Sequence, residues 1–180
     1  MDIETTALPG VLLIKPKVFP DARGFFIESY HAQRYQQAGV NVVFVQDNHS
    51  RSTRGVLRGL HFQIAHPQGK LVRAVRGEIW DVAVDIDPKS PTFKTWVGIT
   101  LDDQQHHQLY VPPGYAHGFV ALSETVDVSY KCTDFYTPGD EGGLRWDDPD
   151  LAIAWPLDQP LVSDKDQANA SLAEYVESLV

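Results

Sequence analysis

The 180 residues, 43% hydrophobic and 22% charged, suffice for one well-buried domain and are too few for two. The net charge of −9 excludes non-specific nucleic-acid binding but not a small anionic ligand, because a few convergent arginines outweigh the distant field at short range. No apolar run approaches the roughly 20 residues a membrane-spanning helix requires, and the short Val11–Ile14 stretch lacks the basic lead of a signal peptide. A lone Cys132 excludes an internal disulfide and fits a reducing cytoplasm.

In chain order, Val11–Ile14 and Gly24–Tyr30 read as strands, followed by a helix over His31–Ala38 that Gly39 stops. Further strands are predicted at Val42–Asn48, Leu57–Phe62, Leu71–Val75, Glu78–Ile86, Thr92–Leu101, Gln108–Val111, Gly118–Leu122 and Val126–Phe135, all rich in Val, Ile and aromatics. Turn signals such as "DPKSP", "PPG" and "TPGDEGG" separate them. A second helix is predicted over Ser171–Leu179, where Ser171 can cap and Leu172, Tyr175, Val176 and Leu179 form one face. With no internal repeat, the pattern is that of an all-β sandwich or barrel with a few short helices, one domain over residues 1–180.

Strand period places Val126, Val128, Tyr130 and Cys132 on one face. Taken alone, this makes Tyr130 a core tyrosine whose hydroxyl finds a partner. The stretch "GLHFQIAHPQGK" poses a sharper question, whether His61 holds a metal or moves a proton. A small barrel with a strand-borne histidine resembles the cupins, whose metal sites combine His-x-His, Glu and Gly with a later Pro-x-Gly-x-x-His. Pro112, Gly114 and His117 supply the second motif. In the first, Gln63 replaces the second histidine and Lys70 stands seven residues before Gly77, where the glutamate belongs. An ammonium repels a divalent cation, and an amide replaces imidazole poorly. Zinc through His61, His66 and His117 is the alternative.

Without a metal, a lysine can hold a carbonyl oxygen as it becomes an enolate, and a neutral histidine can remove the proton from the adjacent carbon. Tyr130, protonated near neutral pH, can return a proton to the opposite face. The outcome of that sequence is epimerisation.

The segments "KVFPDARGFFIESY", "FVQDNHS", "VLRGLHFQ", "QGKLVRAVRGEIWDVAVDI", "SPTFKTWVG", "VPPGYAHGFVALSE", "YKCTDFY", "EGGLRWDDPDLAIAWP" and "SDKD" stand in one order across residues 3–167. Together they resemble the dTDP-4-dehydrorhamnose 3,5-epimerase family. The resemblance implies a metal-free, homodimeric, cytoplasmic cupin jelly roll that needs no cofactor and acts on a dTDP-sugar. It also implies that His61 is the base, Asp166 the carboxylate paired with it, Tyr130 the acid, and Lys70 the group beside the C4 oxygen. Arg23, Glu28, Gln46, Asn48 and Arg58 match nucleotide-sugar contacts, and His117, Glu141 and Lys165 match further substrate contacts. Tyr136 matches the aromatic that stacks on thymine. The N-terminal strands around Arg23 and Glu28 would cross between subunits.

Singly, these positions have plainer readings. Arg23 or Arg58 is an exposed charge, Asp166 a surface acid, His117 a turn histidine, and Glu28 an edge-strand charge that discourages strand addition. Arg58 and His61 also have opposite parity, so both reach one cavity only if Gly59 permits a bulge. Enzymes that invert only C3 or only C5, a non-catalytic sugar-binding cupin and a metal-dependent dioxygenase are the competing functions.

Overall fold

Fourteen strands and three helices are found among residues 1–179, which the computed structural model describes. β1 (Asp2–Thr5), β2 (Leu12–Lys15), β3 (Val18–Asp21) and β4 (Gly24–Ile27) precede α1 (Ala32–Gln37). β5 (Gln46–Thr53), β6 (Val56–Gln63), β7 (Lys70–Arg76), β8 (Glu78–Asp85), β9 (Trp96–Asp102), β10 (Gln108–Val111), β11 (Tyr115–Ala121) and β12 (Thr125–Cys132) make the body. β13 (Glu141–Gly143), β14 (Leu161–Val162), α2 (Asp164–Gln167) and α3 (Leu172–Glu177) follow.

One sheet has the order β1-β2-β10-β7-β12-β5 and the other β13-β6-β11-β8-β9, with β14 beside β6. The core between them joins Val72, Ala74, Leu109, Val111, Val126 and Val128 of the first sheet to Ile79, Ala83, Leu101, Phe119 and Ala121 of the second. This is the jelly-roll architecture that the sequence predicts. The outer face of the first sheet packs Ile14, Leu71 and Tyr110 under Tyr35 of α1. The outer face of the second packs Leu60, Phe62, Val82 and Val84 under Leu144, Leu151 and Leu172. β8 is therefore covered on both sides, which explains why Ile79, Trp80, Val82, Ala83 and Val84 are all apolar, with only Asp81 interrupting them.

The inward face changes character along each strand. On β7 it reads Ala74, Val72, Lys70, and on antiparallel β12 it reads Val126, Val128, Tyr130. Apolar residues fill one end of the sandwich and chemically active ones collect at the other.

Several element bounds differ from the sequence reading. The fifth strand runs over Gln46–Thr53, not Val42–Asn48. Val42 and Phe44 do pack on the core near Tyr35, but that segment lies outside any ladder. The strand itself is polar because its inward residues, Gln46, Asn48 and Ser50, line cavities. The ninth strand starts at Trp96 rather than Thr92, because Asp85 Oδ2 accepts from the Ser90 and Thr92 hydroxyls and holds that segment in a turn. β11 begins earlier than expected and β12 ends earlier. β1, β3, β13, β14 and α2 are too short to show a period. Both predicted helices are present, and α3 carries a reciprocal Ser171–Glu174 capping box.

Candidate active site

His61 reaches the interior through an irregularity in β6. His61 pairs with His117 and Arg58 with Phe119, so three residues of β6 span two of β11. The extra residue is Gly59, at φ +132°, where a Cβ would lie 2.5 Å from Gly118 Cα. Only glycine fits there, and this bulge turns Arg58 and His61 to the same cavity. Arg58 is steadied by the Ser52 hydroxyl, 3.0 Å from Nε, and the Arg51 carbonyl, 3.1 Å from Nη2.

The His61 partner comes from 105 residues further along the chain. β14 pairs parallel to β6, and Ser163 then caps α2, its hydroxyl accepting from the Asp166 N–H. The buried Asp166 carboxylate lies 2.7 Å from His61 Nε2 through Oδ1, and Oδ2 accepts from the Gly59 N–H at 3.2 Å. Burial works to raise the Asp166 carboxyl. The bond and charge of His61, with the Gly59 N–H, outweigh it and hold the group below its ordinary value. An ionised Asp166 accepts from Nε2–H and leaves the Nδ1 lone pair of His61 free.

Lys70 and Tyr130 stand on neighbouring strands of the facing sheet and line the same cavity of about 430 Å³ as His61. The Lys70 ammonium has no carboxylate within salt-bridge distance among the described residues and donates to the His61 carbonyl at 3.4 Å. Loss of hydration pushes it below its ordinary value, against the pull of Cys132 and Asp81. Burial, reinforced by Cys132, pushes the Tyr130 phenol up, and Asn48 and Arg58 oppose this. Tyr130 is thus firmly protonated at neutral pH.

The rim is organised by polar pairs. Gln46 Nε2 donates to Asn48 Oδ1 at 3.1 Å, and Gln46 Oε1 accepts from the Tyr136 N–H at 2.9 Å, presenting the Tyr136 ring at the mouth. Lys165 and Glu141 form a 2.7 Å ion pair across α2 and β13. His117 Nε2 lies 2.8 Å from Asp81 Oδ1 deeper in the barrel. Arg23 and Glu28 stand apart from this group. Arg23, at the β3–β4 turn, pairs with Asp21 and leaves 90% of its side chain exposed, and Glu28 pairs with Arg34. Neither lines the cavity of its own chain.

Gln63 has a structural task. It donates to the His66 and Phe135 carbonyls and accepts from the Thr137 N–H, tying the β6–β7 and β12–β13 loops together at the mouth. His66 lies 3.8 Å from Asp134, outside the cavity. The described residues contain no group of three or more His, Cys, Asp or Glu side chains placed to hold a metal. Sequence reasoning missed Asp81, Ser50 and Asn169. Asn169 lines the cavity because its carboxamide fills the space a Gly143 side chain would need.

The fold is a cupin-type jelly roll in which a histidine–carboxylate pair, a lysine and a protonated tyrosine line one cavity. The family model described as dTDP-4-dehydrorhamnose 3,5-epimerase matches residues 5–174. The chain belongs to that family. The dTDP-4-dehydrorhamnose 3,5-epimerase of Pseudomonas aeruginosa is 54% identical over 170 residues, 93% of this chain and 94% of the relative. The crystal structure of dTDP-6-deoxy-D-glucose-3,5-epimerase from Legionella pneumophila, in complex with dTDP-4-keto-L-rhamnose, superposes with a TM-score of 0.95 at 48% identity, covering 99% of this chain and 96% of that one. A dTDP-4-dehydrorhamnose 3-epimerase of Streptomyces niveus is 40% identical over 176 residues, 97% of this chain and 85% of the relative. No helix among the described residues is long and apolar enough to cross a membrane.

Proposed function

We propose that this single-domain, cytoplasmic protein inverts C3 and C5 of dTDP-4-dehydro-6-deoxy-D-glucose to give dTDP-4-dehydro-L-rhamnose, for dTDP-L-rhamnose synthesis. The observation that carries the reading is the His61–Asp166 pair sharing a cavity with Lys70 and Tyr130. The C4 ketone acidifies the protons on C3 and C5. His61 Nδ1 removes one, the enolate oxygen rests beside the Lys70 ammonium, and Tyr130 delivers a proton to the opposite face. The second carbon then follows the same course. Arg58 suits a pyrophosphate and the Tyr136 face suits thymine. Gln46, Asn48, His117, Glu141 and Lys165 complete the contacts.

The mechanism needs no metal, nicotinamide or flavin, since the enolate charge falls to Lys70. Incubation with the keto-sugar in heavy water, read by mass and NMR, tests both points. Deuterium should enter at C3 and C5 with inversion of both, before and after exhaustive chelation. Inversion at C3 alone would make the protein the counterpart of the Streptomyces niveus relative, and loss of turnover on chelation would overturn the metal-free reading.

The protein also acts, in this proposal, as a homodimer in which the β3–β4 hairpin of each copy completes the other's site. Support comes from Arg23 and Glu28 lying outside their own cavity, and from Phe19, Phe25 and Phe26, exposed by 47%, 57% and 67% on that hairpin. A monomeric, fully active species in sedimentation would refute it.

A further inference from the structure

Two cavities meet at the same three side chains. His61, Lys70 and Tyr130 line the substrate cavity, and they also line a smaller one of about 150 Å³ whose other walls are Ser50, Arg58, His117 and Phe119. These other walls lie on β5, β6 and β11. Its lining is polar without being saturated. Ser50 Oγ is buried with no hydrogen-bond partner among the described residues, and behind His117 the same holds for Asp81 Oδ2. A buried polar atom left without a partner is destabilising unless a water satisfies it. A polar cavity of this size admits a short chain of waters, each satisfied by about two to four polar partners.

The proposed reaction creates a need for such a chain. Each inversion puts a proton on His61 and takes one from Tyr130. Inverting a second carbon of the same bound sugar requires a neutral imidazole and a protonated phenol again. In that reaction the bound sugar would occupy the substrate side, between the two groups.

We propose that the smaller cavity is the proton-return path that resets His61 and Tyr130 between the two inversions, with Ser50 Oγ as its fixed hydrogen-bonding station. The inference rests on the two-centre reading above. The Tyr130 phenolate takes a proton from the adjacent water, forming its O–H bond. The deficit passes along the chain, each oxygen giving one proton and gaining another. The last oxygen is replenished by the His61 imidazolium, whose N–H bond breaks. No proton enters or leaves the site. Lys70 and Arg58, both cations on this cavity, oppose a free hydronium there and favour transfer that starts at the phenolate.

Ser50 Oγ makes no hydrogen bond to any group assigned to the chemistry, which makes it the place to test the path. Ser50→Val removes the hydroxyl and keeps a residue suited to a strand. The probe is dTDP-4-dehydro-6-deoxy-D-glucose in single turnover, enzyme in excess, with singly and doubly inverted sugars resolved by NMR after quenching. The first inversion should stay within about twofold of the parent protein and the second should slow by about tenfold or more, so that singly inverted sugar accumulates. Ser50→Thr, which keeps the hydroxyl, should restore the parental ratio. If Ser50→Val does not fold, Ser50→Ala carries the same expectation. An unchanged ratio of the two rates, or equal slowing of both, overturns the path while leaving the epimerase reading standing. Inversion of one centre only by the unaltered protein overturns that reading and this inference with it.

Discussion

Two of the histidine–aspartate pairs, His61–Asp166 and His117–Asp81, border the cavities, and they are built differently. His61–Asp166 is closed at 2.7 Å, with 43% of the imidazole exposed to the cavity and its carboxylate on a one-turn helix outside the sheet. His117–Asp81 is closed at 2.8 Å, with 8% of the imidazole exposed and its carboxylate wholly buried on the interior strand β8. The bond lengths are nearly equal, so they do not distinguish the roles. Access does. A proton leaving a carbon must reach an open nitrogen lone pair, and His61 presents one to the larger cavity. His117 is embedded, and the bond to Asp81 fixes its ring as part of the wall. In the proposed mechanism the same chemical pair serves proton transfer where it is half-open and positioning where it is closed.

The largest expected effect falls on the open pair. His61→Asn should abolish deuterium exchange at both C3 and C5, a loss of at least about 10²–10⁴-fold in turnover. Retained exchange would shift the base elsewhere, with His117 the first alternative. Next comes Tyr130→Phe, which keeps the ring and removes the hydroxyl. The enolate still forms and regains its proton from the histidine side, so deuterium should enter with retention while inverted product falls steeply. Inversion of both centres at the parental rate would return Tyr130 to the role of a core tyrosine.

Asp166→Asn should have a smaller effect, about 10–100-fold on kcat, because the base survives but loses its orienting charge. The pH dependence has a definite sign. Asp166 lies below its ordinary value in the folded protein. The stability the pair supplies is therefore full above the unfolded carboxyl value of about 3.9 and is lost as pH falls through the depressed folded value. Thermal unfolding across that acidic range should show a shallower pH slope in the variant, and an identical slope would mean that the pair adds no stability. Asp81→Asn inverts the pattern. It should cost stability, by about 3–5 kcal/mol if His117 is left charged and unpartnered, and reduce kcat least of the four. A kcat loss matching that of His61→Asn, with unfolding unchanged, would break the division between the two pairs.

The legibility of these features in the sequence follows their physics. Strand period placed Tyr130 inward, and Lys70 and Gln63 in the places of the metal motif's glutamate and second histidine turned His61 from a ligand into a candidate base. The bulge was readable as a parity conflict with a glycine between Arg58 and His61, and the register of β6 against β11 contains it. Asp166 was recognisable only by resemblance, since α2 spans four residues and has no period to detect. The spacing Ser163-x-x-Asp166 is its one local signal, a side-chain cap. β5 was misplaced because hydrophobic alternation finds strands whose inward face is greasy, and this one faces cavities with Gln46, Asn48 and Ser50. Asp81 hid within an apolar run because its partner, His117, is 36 residues away.

The long separation of His61 from Asp166 also sets an order of events during synthesis. At about 5–20 residues per second, the carboxylate leaves the ribosome several seconds after the histidine. In the later part of that interval, once β11 has emerged, the nascent chain can pair β6 with β11 yet lacks the carboxylate partner of His61. β14 must dock beside β6 before the dyad exists at all. The sheets and the dyad are thus timed separately, and much of the sandwich can form before this late parallel strand brings Asp166 to His61.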